Sequence, residues 1–232
     1  DGWVISQQQD NKLEMTLTDY DKNNLSEVNL QYSKVGENSW TSGMTLRPAD
    51  LFNSQFGTDV TWDIANSSIA DGEYMLRFQL KCGLGTNYTQ RITGTIDRTT
   101  PKVRGIPEPN DDIFVYGDEI SIHFNENLNT LAAAKSGRGG TMLRRISDSQ
   151  MYAATASVSN DKITIVTDVD FNQHEGEAFE VIVNDVEDQY GNRMTEPVTW
   201  KFIVAEEVGE IVLPLELLSF NGKTLKSTNL LQ

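Results

Sequence analysis

A single cysteine, Cys82, leaves this chain of 232 residues unable to form an internal disulfide. Histidine is nearly as scarce. His123 and His174 are the only two, and neither sits in a His-x-x-x-His, Gly-x-Ser-x-Gly or His-Glu-x-x-His arrangement. The usual hydrolase constellations therefore lack their parts. Bases are outnumbered, with 19 Lys and Arg against 34 Asp and Glu and a net charge of −15. Acids exceed bases in both halves, so the acidity is not that of a tail, and a phosphate backbone would be repelled. No apolar run approaches the roughly 18 residues that span a bilayer. Nor is there a 3.6-residue apolar stripe of helical length. Prolines are few, at six, and three of them stand between positions 101 and 109.

What the chain has in quantity is alternation. Leu13, Met15 and Leu17 are spaced by polar residues, as are Val28, Leu30 and Tyr32, and Val60, Trp62 and Ile64. The longest set runs Tyr74, Leu76, Phe78, Leu80, Cys82, after the turn signal Asp71-Gly72, and places the thiol on the core-facing side of a strand. Ile92, Gly94 and Ile96 close the first series. A helical turn is expected near Pro48-Ala-Asp-Leu-Phe52. The second series opens with Ile120, Ile122 and Phe124 facing one side and Glu119, Ser121 and His123 the other. A hairpin is expected between 151–159 and 162–167, turning at Asn160-Asp161. Phe179, Val181 and Val183 follow, then Val198, Trp200, Phe202 and Val204, joined through the turn-rich loop Asp185 to Arg193. About seven short strands per half is the β-sandwich pattern, although a closed barrel also fits the spacing.

The punctuation from Asp97 through Pro101, Gly105, Pro107 and Pro109 marks a joint between two β-domains. The expected organisation is a sandwich over 1–98, a second over 99–205, an acidic linker at 206–213, and the first strands of a third module at 214–232. The abrupt start at Asp1 reads as that of a processed or excised piece.

Several stretches resemble a known family. Pro101, Pro107-Glu-Pro109, Gly117-Asp-Glu-Ile-Ser-Ile122, Phe124-Asn-Glu126, Val186-Glu-Asp-Gln-Tyr-Gly-Asn192 and Val198-Thr-Trp-Lys-Phe202 resemble the bacterial Ig-like domain of S-layer and giant surface proteins. The first half, with Asp19-Tyr-Asp21, Leu30-Gln-Tyr-Ser33, Trp40, Asp71-Gly-Glu-Tyr74 and Ile96-Asp-Arg98, resembles the Ig- or fibronectin-III-like module that often precedes it. The tail Leu213-Pro-Leu-Glu-Leu-Leu-Ser-Phe220 is similar to the opening of a fibronectin-like domain before the sorting signal of secreted Bacteroidetes proteins. The resemblance implies an all-β chain of tandem Ig-like sandwiches, extracellular or on the cell surface, exported by type IX secretion machinery. It carries no catalytic residues.

Candidate chemistry is sparse. Asp19, Asp21 and Asn23 have the spacing at which successive oxygens converge on calcium, without the glycine and the closing glutamate of an EF-hand loop. An Asx-rich turn is the plainer reading. A second cation candidate lies at the joint, where Asp97, Glu108, Asp111 and Asp112 fall near Asp185 and Asp188. Lys135 to Gly140, continued by Arg144 and Arg145, forms a basic loop that could hold an anionic glycan or an acidic surface. Of the tryptophans, Trp62 and Trp200 are expected in the core and Trp40 across the sandwich or at its edge, while Trp3 has no core assignment. Both histidines are expected at the surface.

The reading is a non-catalytic spacer and interaction segment of a large secreted or surface-anchored bacterial protein. Its partners are flanking domains and a surface glycan or protein, with no nucleic acid and no membrane insertion, and structural calcium is the one cofactor in view. The alternatives are an accessory carbohydrate- or protein-binding module, or the non-catalytic C-terminal part of a secreted enzyme.

Overall fold

The structure, a computed structural model, describes residues 2–51, 57–83, 85–129 and 140–206. The expected acidic linker beyond 206, the start of a third module and most of the basic loop lie outside the described residues.

Among the described residues, alternation in the first half becomes eight strands: β1 (Trp3–Ile5), β2 (Lys12–Leu17), β3 (Leu25–Lys34), β4 (Thr41–Leu46), β5 (Thr58–Asp63), β6 (Gly72–Cys82), β7 (Gly85–Tyr88) and β8 (Ile92–Ile96). One layer runs β1-β8-β6-β3-β4. The eleven-residue β6 is long enough that β8 and β7 both pair with it, at 72–76 and 79–82. The other layer is the β2–β5 pair. Between them lie Val28, Leu30, Val60, Trp62, Leu76 and Ile96, all buried. Trp62 of one layer meets Tyr32 of the other with ring centroids 5.5 Å apart.

The described residues of the second half also give eight strands: β9 (Val103–Glu108), β10 (Ile113–Phe114), β11 (Ser121–Phe124), β12 (Thr141–Arg145), β13 (Met151–Ser159), β14 (Lys162–Thr167), β15 (Ala178–Val183) and β16 (Val198–Val204). They form one hydrogen-bonded path, β10-β16-β15-β12-β13-β14-β11-β9. The path folds over at β13, which pairs with β12 through Met151–Ala153 and with β14 through Ala154–Ser159. A separate core fills this sandwich, built on Ile122, Phe124, Leu143, Ile163, Phe179 and Phe202. The chain is thus all-β and Ig-like. Its short helices, among the described residues, are single 3-10 turns, one of them the expected turn at Pro48–Asp50. No helix of the described residues is long and apolar enough to cross a membrane.

The strand that alternation missed nearest the joint is β9. Its Gly105 and Pro107 read as linker punctuation, yet Val103 to Glu108 pairs with β11. As an outer strand with one free edge it tolerates a residue that lacks an N–H. The connection between the last strand of one sandwich and the first of the next shrinks to 97–102.

Other expectations need correction. His174 is not a surface residue, with a side chain 17% exposed. It packs against Tyr152 and Phe179 and lies 3.0 Å from Glu177. His123 is half-exposed, 3.5 Å from Asp161. Trp3 packs against the first core, because it lies where a side chain at Gly94 would be. A Cβ on Gly94 would meet the Trp3 ring and backbone at 2.2 Å. Trp40 stacks on Arg77, its ring 3.9 Å from the guanidinium, and Arg77 points away from the face of Leu76 and Phe78. Trp40 therefore covers the outside of the sheet. Trp200 is half-buried and donates its indole N–H to the Glu108 carbonyl at 3.1 Å. Cys82 is free and half-buried on the core side of β6.

Candidate functional site at the joint between the sandwiches

The residues with unusual environments gather where the two sandwiches meet. Asp97 follows β8 directly, and its N–H donates to the Ile5 carbonyl at 2.9 Å, which fixes it to the end of the first sandwich. Asp188 and Asn192 come from the loop between β15 and β16. That loop is held to the second sandwich by a bridge of Leu128 with Asp188 and by Asn129 N–H donating to the Glu187 carbonyl at 2.8 Å. Asp188 is 0% exposed. Its carboxylate accepts from the backbone N–H of Tyr190 and Asn192 at 2.7 and 2.9 Å, and from the Asn192 side-chain amide at 2.7 Å. Such donors offset the cost of taking a polar group out of water.

Asn192, also 0% exposed, is the residue that joins the halves. Its Oδ1 accepts the Gln7 N–H at 2.9 Å, while Nδ2 donates to the Asp97 carbonyl at 3.0 Å and to Asp188. Gln7 also ties down the start of the connection, its side-chain amide donating to the Arg98 carbonyl at 2.7 Å. Next to Asn192, Gly191 takes φ 88°, and a Cβ there would meet the Gln8 side chain at 2.2 Å. The left-handed φ is what calls for glycine there, since the Gln8 amide is the far end of an exposed side chain. Arg98 is held by Asp71, whose carboxylate takes both its backbone N–H and its Nε–H at 2.9 Å. Burial pushes Asp71 up. The hydrogen bonds from Arg98 and Thr99 outweigh it and hold the carboxyl below the usual range.

Asp97, Glu126 and Asp188 each offer one carboxylate oxygen, and these oxygens all lie within 4.8 Å of one another. Glu126 reaches the group from the turn after β11. Its Oε1 is buried without a hydrogen-bond partner among the described residues. Burial, then the neighbouring Asp188 and Asp97 charges, push its carboxyl up to about 7. Asp97 is raised too, first by burial and against the pull of the Thr99 N–H. The arrangement concentrates negative charge in a partly dry place. Three carboxylate oxygens at that spacing suit a proton or a hard cation.

Of the acids expected at the joint, the structure brings together Asp97 and Asp188. Glu108 and Asp111 serve local turns, accepting from Asn110 and Ile113 N–H. Asp185 lies 3.9 Å from Arg193. Glu126 and Asn192 stood inside stretches that carried the family resemblance but had no assigned role. In the other cation candidate, Asp21 caps a 3-10 turn at Lys22–Asn24, accepting from the Asn23 N–H and the Asn24 amide at 3.0 and 2.8 Å. Asp19 has φ 58° and accepts from the Thr18 hydroxyl. In the basic stretch, the two described arginines are paired: Arg144 with Glu180, Arg145 with Asp148 and Glu177.

Residues 97–204 match the bacterial Ig-like domain. The match begins at the joint carboxylate Asp97 and takes in Glu126, Asp188 and Asn192. No curated protein matches the chain. Among solved structures, the FN1–FN3 domains of chicken CNTN1 are similar at 15% identity and a TM-score of 0.40, over 84% of this chain and 62% of that one. A Ca2+-stabilized adhesin with which an Antarctic bacterium binds ice is similar at 15% identity and TM-score 0.31, over 88% and 46%. A 1.5-MDa bacterial ice-binding adhesin gives 13% and 0.34, over 87% and 60%. The chain thus spans less than two thirds of each of those structures, and similarity at these scores assigns nothing to it.

Proposed function

We propose that this chain is a non-catalytic structural and interaction segment of a larger extracellular or surface-anchored bacterial protein, in which the two sandwiches are held at a fixed angle. The observation that carries the reading is Asn192. A fully buried amide whose oxygen and nitrogen are both engaged across the joint is a fastener, since breaking the joint would strand its partners. The Ig-like match to the second sandwich supports a scaffold role. Small-angle scattering tests it. Asn192→Ala should broaden the distribution of interatomic distances relative to the wild-type chain. An identical distribution in the two proteins would sink the fixed-joint reading.

A second reading concerns the cation. The unpartnered Glu126 Oε1 beside Asp97 and Asp188 favours uptake of Ca2+ at the joint, where it would replace repulsion by bridging. The melting temperature at pH 8 with millimolar calcium against chelator decides it. No difference, or an equal rise in Glu126→Gln, removes calcium from the joint. Export by type IX machinery and a glycan or protein ligand stay as expectations of the resemblance alone. Secretion of a reporter carrying the tail, and binding to immobilised glycans, are their respective tests.

A further inference from the structure

At the other end of the second sandwich, away from the carboxylates of the joint, lies an apolar groove of about 730 Å³. Phe114, Val115, Tyr116, Phe171, Val204 and Ala205 line it. Its floor is rigid. Phe114 packs on Phe171 with centroids 4.5 Å apart and on Phe202 at 5.4 Å, so the groove rests on the aromatic core. Its wall is exposed. Tyr116 is 85% exposed and Val115 53%, the former the most exposed large apolar residue among those described. Beside them Ile113 and Ile203, paired between β10 and β16, are about half-exposed. Apolar surface that is contiguous and built on core aromatics is a docking face more often than bare surface.

The chain's own path indicates the occupant. Val204 N–H donates to the Glu177 carbonyl and Ala205 N–H to the Phe114 carbonyl, so the backbone is tied down to the edge of the groove. Glu206 lines the groove itself. Five residues later begins Ile211-Val-Leu-Pro-Leu-Glu-Leu-Leu218, the densest apolar run in the sequence. Five residues extend to about 17 Å, enough to double back, and Gly209 stands among them. A second copy fits poorly. It would set the rim carboxylates Glu175 and Glu206 against their equivalents, between chains of net charge −15.

We propose that this groove seats residues 211–218 of the same chain, so that the segment following the second sandwich is docked on it rather than tethered. The groove shares no residue with the carboxylate joint, so this stands or falls apart from the fixed-joint reading.

Hydroxyl-radical footprinting of the full chain tests it. The wild-type chain and Leu213→Asp/Leu215→Asp/Leu217→Asp are compared at Tyr116. The expected result is protection of Tyr116 in the wild type and loss of that protection, to the rate of free tyrosine, in the variant. Equal modification in both overturns the proposal. Val115→Cys with Leu215→Cys, in a Cys82→Ser background, identifies the occupant after dilute oxidation. A bond within one chain supports the docking, and bonds only between chains would give the groove to a second copy and overturn it.

Discussion

Removing the Asn192 side chain is the perturbation with the most to say about how this chain holds its shape. Asn192→Ala keeps the backbone N–H that serves Asp188 but deletes the side-chain bonds to Gln7, to Asp97 and to Asp188. The bond to the Asp188 carboxylate is charge-assisted and buried, and its loss costs roughly 1.5–3 kcal/mol. The bonds to Gln7 N–H and to the Asp97 carbonyl are neutral and part-buried, at about 1 kcal/mol each. The total is about 3.5–5 kcal/mol. In a domain near a hundred residues that corresponds to a fall in melting temperature of about 10 °C or more. Calorimetry of the full chain is the assay, and it should resolve where the loss falls. The Asp188 share belongs to the second sandwich, while the Gln7 and Asp97 shares couple the two. Gln7→Pro separates these contributions. Gln7 is the first residue of a 3-10 turn, where proline is accommodated, so the variant loses the bond across the joint to Asn192 and the bond to the Arg98 carbonyl. It should cost about 1 kcal/mol and spare Asp188. A shift for Asn192→Ala no larger than that for Gln7→Pro would refute the argument that the buried Asp188 depends on this amide.

Four further outcomes follow from the same geometry. Glu126, raised to about 7 from an ordinary 4.5, binds a proton in the folded state that it lacks unfolded. Stability should therefore fall as pH rises from about 4.5 to 7, and Glu126→Gln in chelator should match wild type at pH 4 and exceed it at pH 8. Full conversion of that shift would be about 3.4 kcal/mol, and partial solvent access reduces it to about 1–2, measurable by urea unfolding across pH. If the joint takes calcium with a dissociation constant near 1 mM, 10 mM calcium adds about 1.4 kcal/mol to the wild type and nothing to Glu126→Gln, read as the melting shift at pH 8. Asp21→Ala should cost about 1 kcal/mol as a lost cap, equally with calcium and with chelator; a penalty present only with calcium would return the metal to the Asp19–Asn23 loop. Gly94→Ala should destabilise the first sandwich by at least about 2 kcal/mol in denaturant titration, because its Cβ collides with Trp3 ring and backbone rather than with a yielding side-chain tip.

Much of the sandwich was readable because burial on one face leaves a period of two. Tyr74 through Phe78 and Ile120 through Phe124 announced β6 and β11, and Asn160, at φ 53°, turned the hairpin where expected. Strands without that period stayed hidden. β7 is exposed along its whole length, β1 is three residues on a sheet edge, and β9 carries a glycine and a proline. The joint was half legible. Asp97 and Asp188 were chosen because acids near punctuation are candidates, but Glu126 and Asn192 depend on which loops meet in space, and alternation is silent about loops. Nothing in the spacing separates Asp188, buried under three donors, from Asp185 three residues earlier, beside Arg193.

The parallel pairing of β1 with β8 bears on how the first sandwich answers a pull. Trp3, Val4 and Ile5 stand beside Gly94, Thr95 and Ile96, so the first and last strands of that unit are neighbours running the same way. Tension entering at one end and leaving at the other slides these strands past each other, and their hydrogen bonds share the load at once instead of opening in sequence. Trp3, lying over Gly94, adds a ring that must be dragged across a backbone before the strands part. The second sandwich does not repeat the arrangement: its last strand, β16, lies parallel to β10, while its first strand, β9, pairs antiparallel with β11. In a chain strung in series between two anchors, the first sandwich would thus be the unit that meets force with its stiffest geometry.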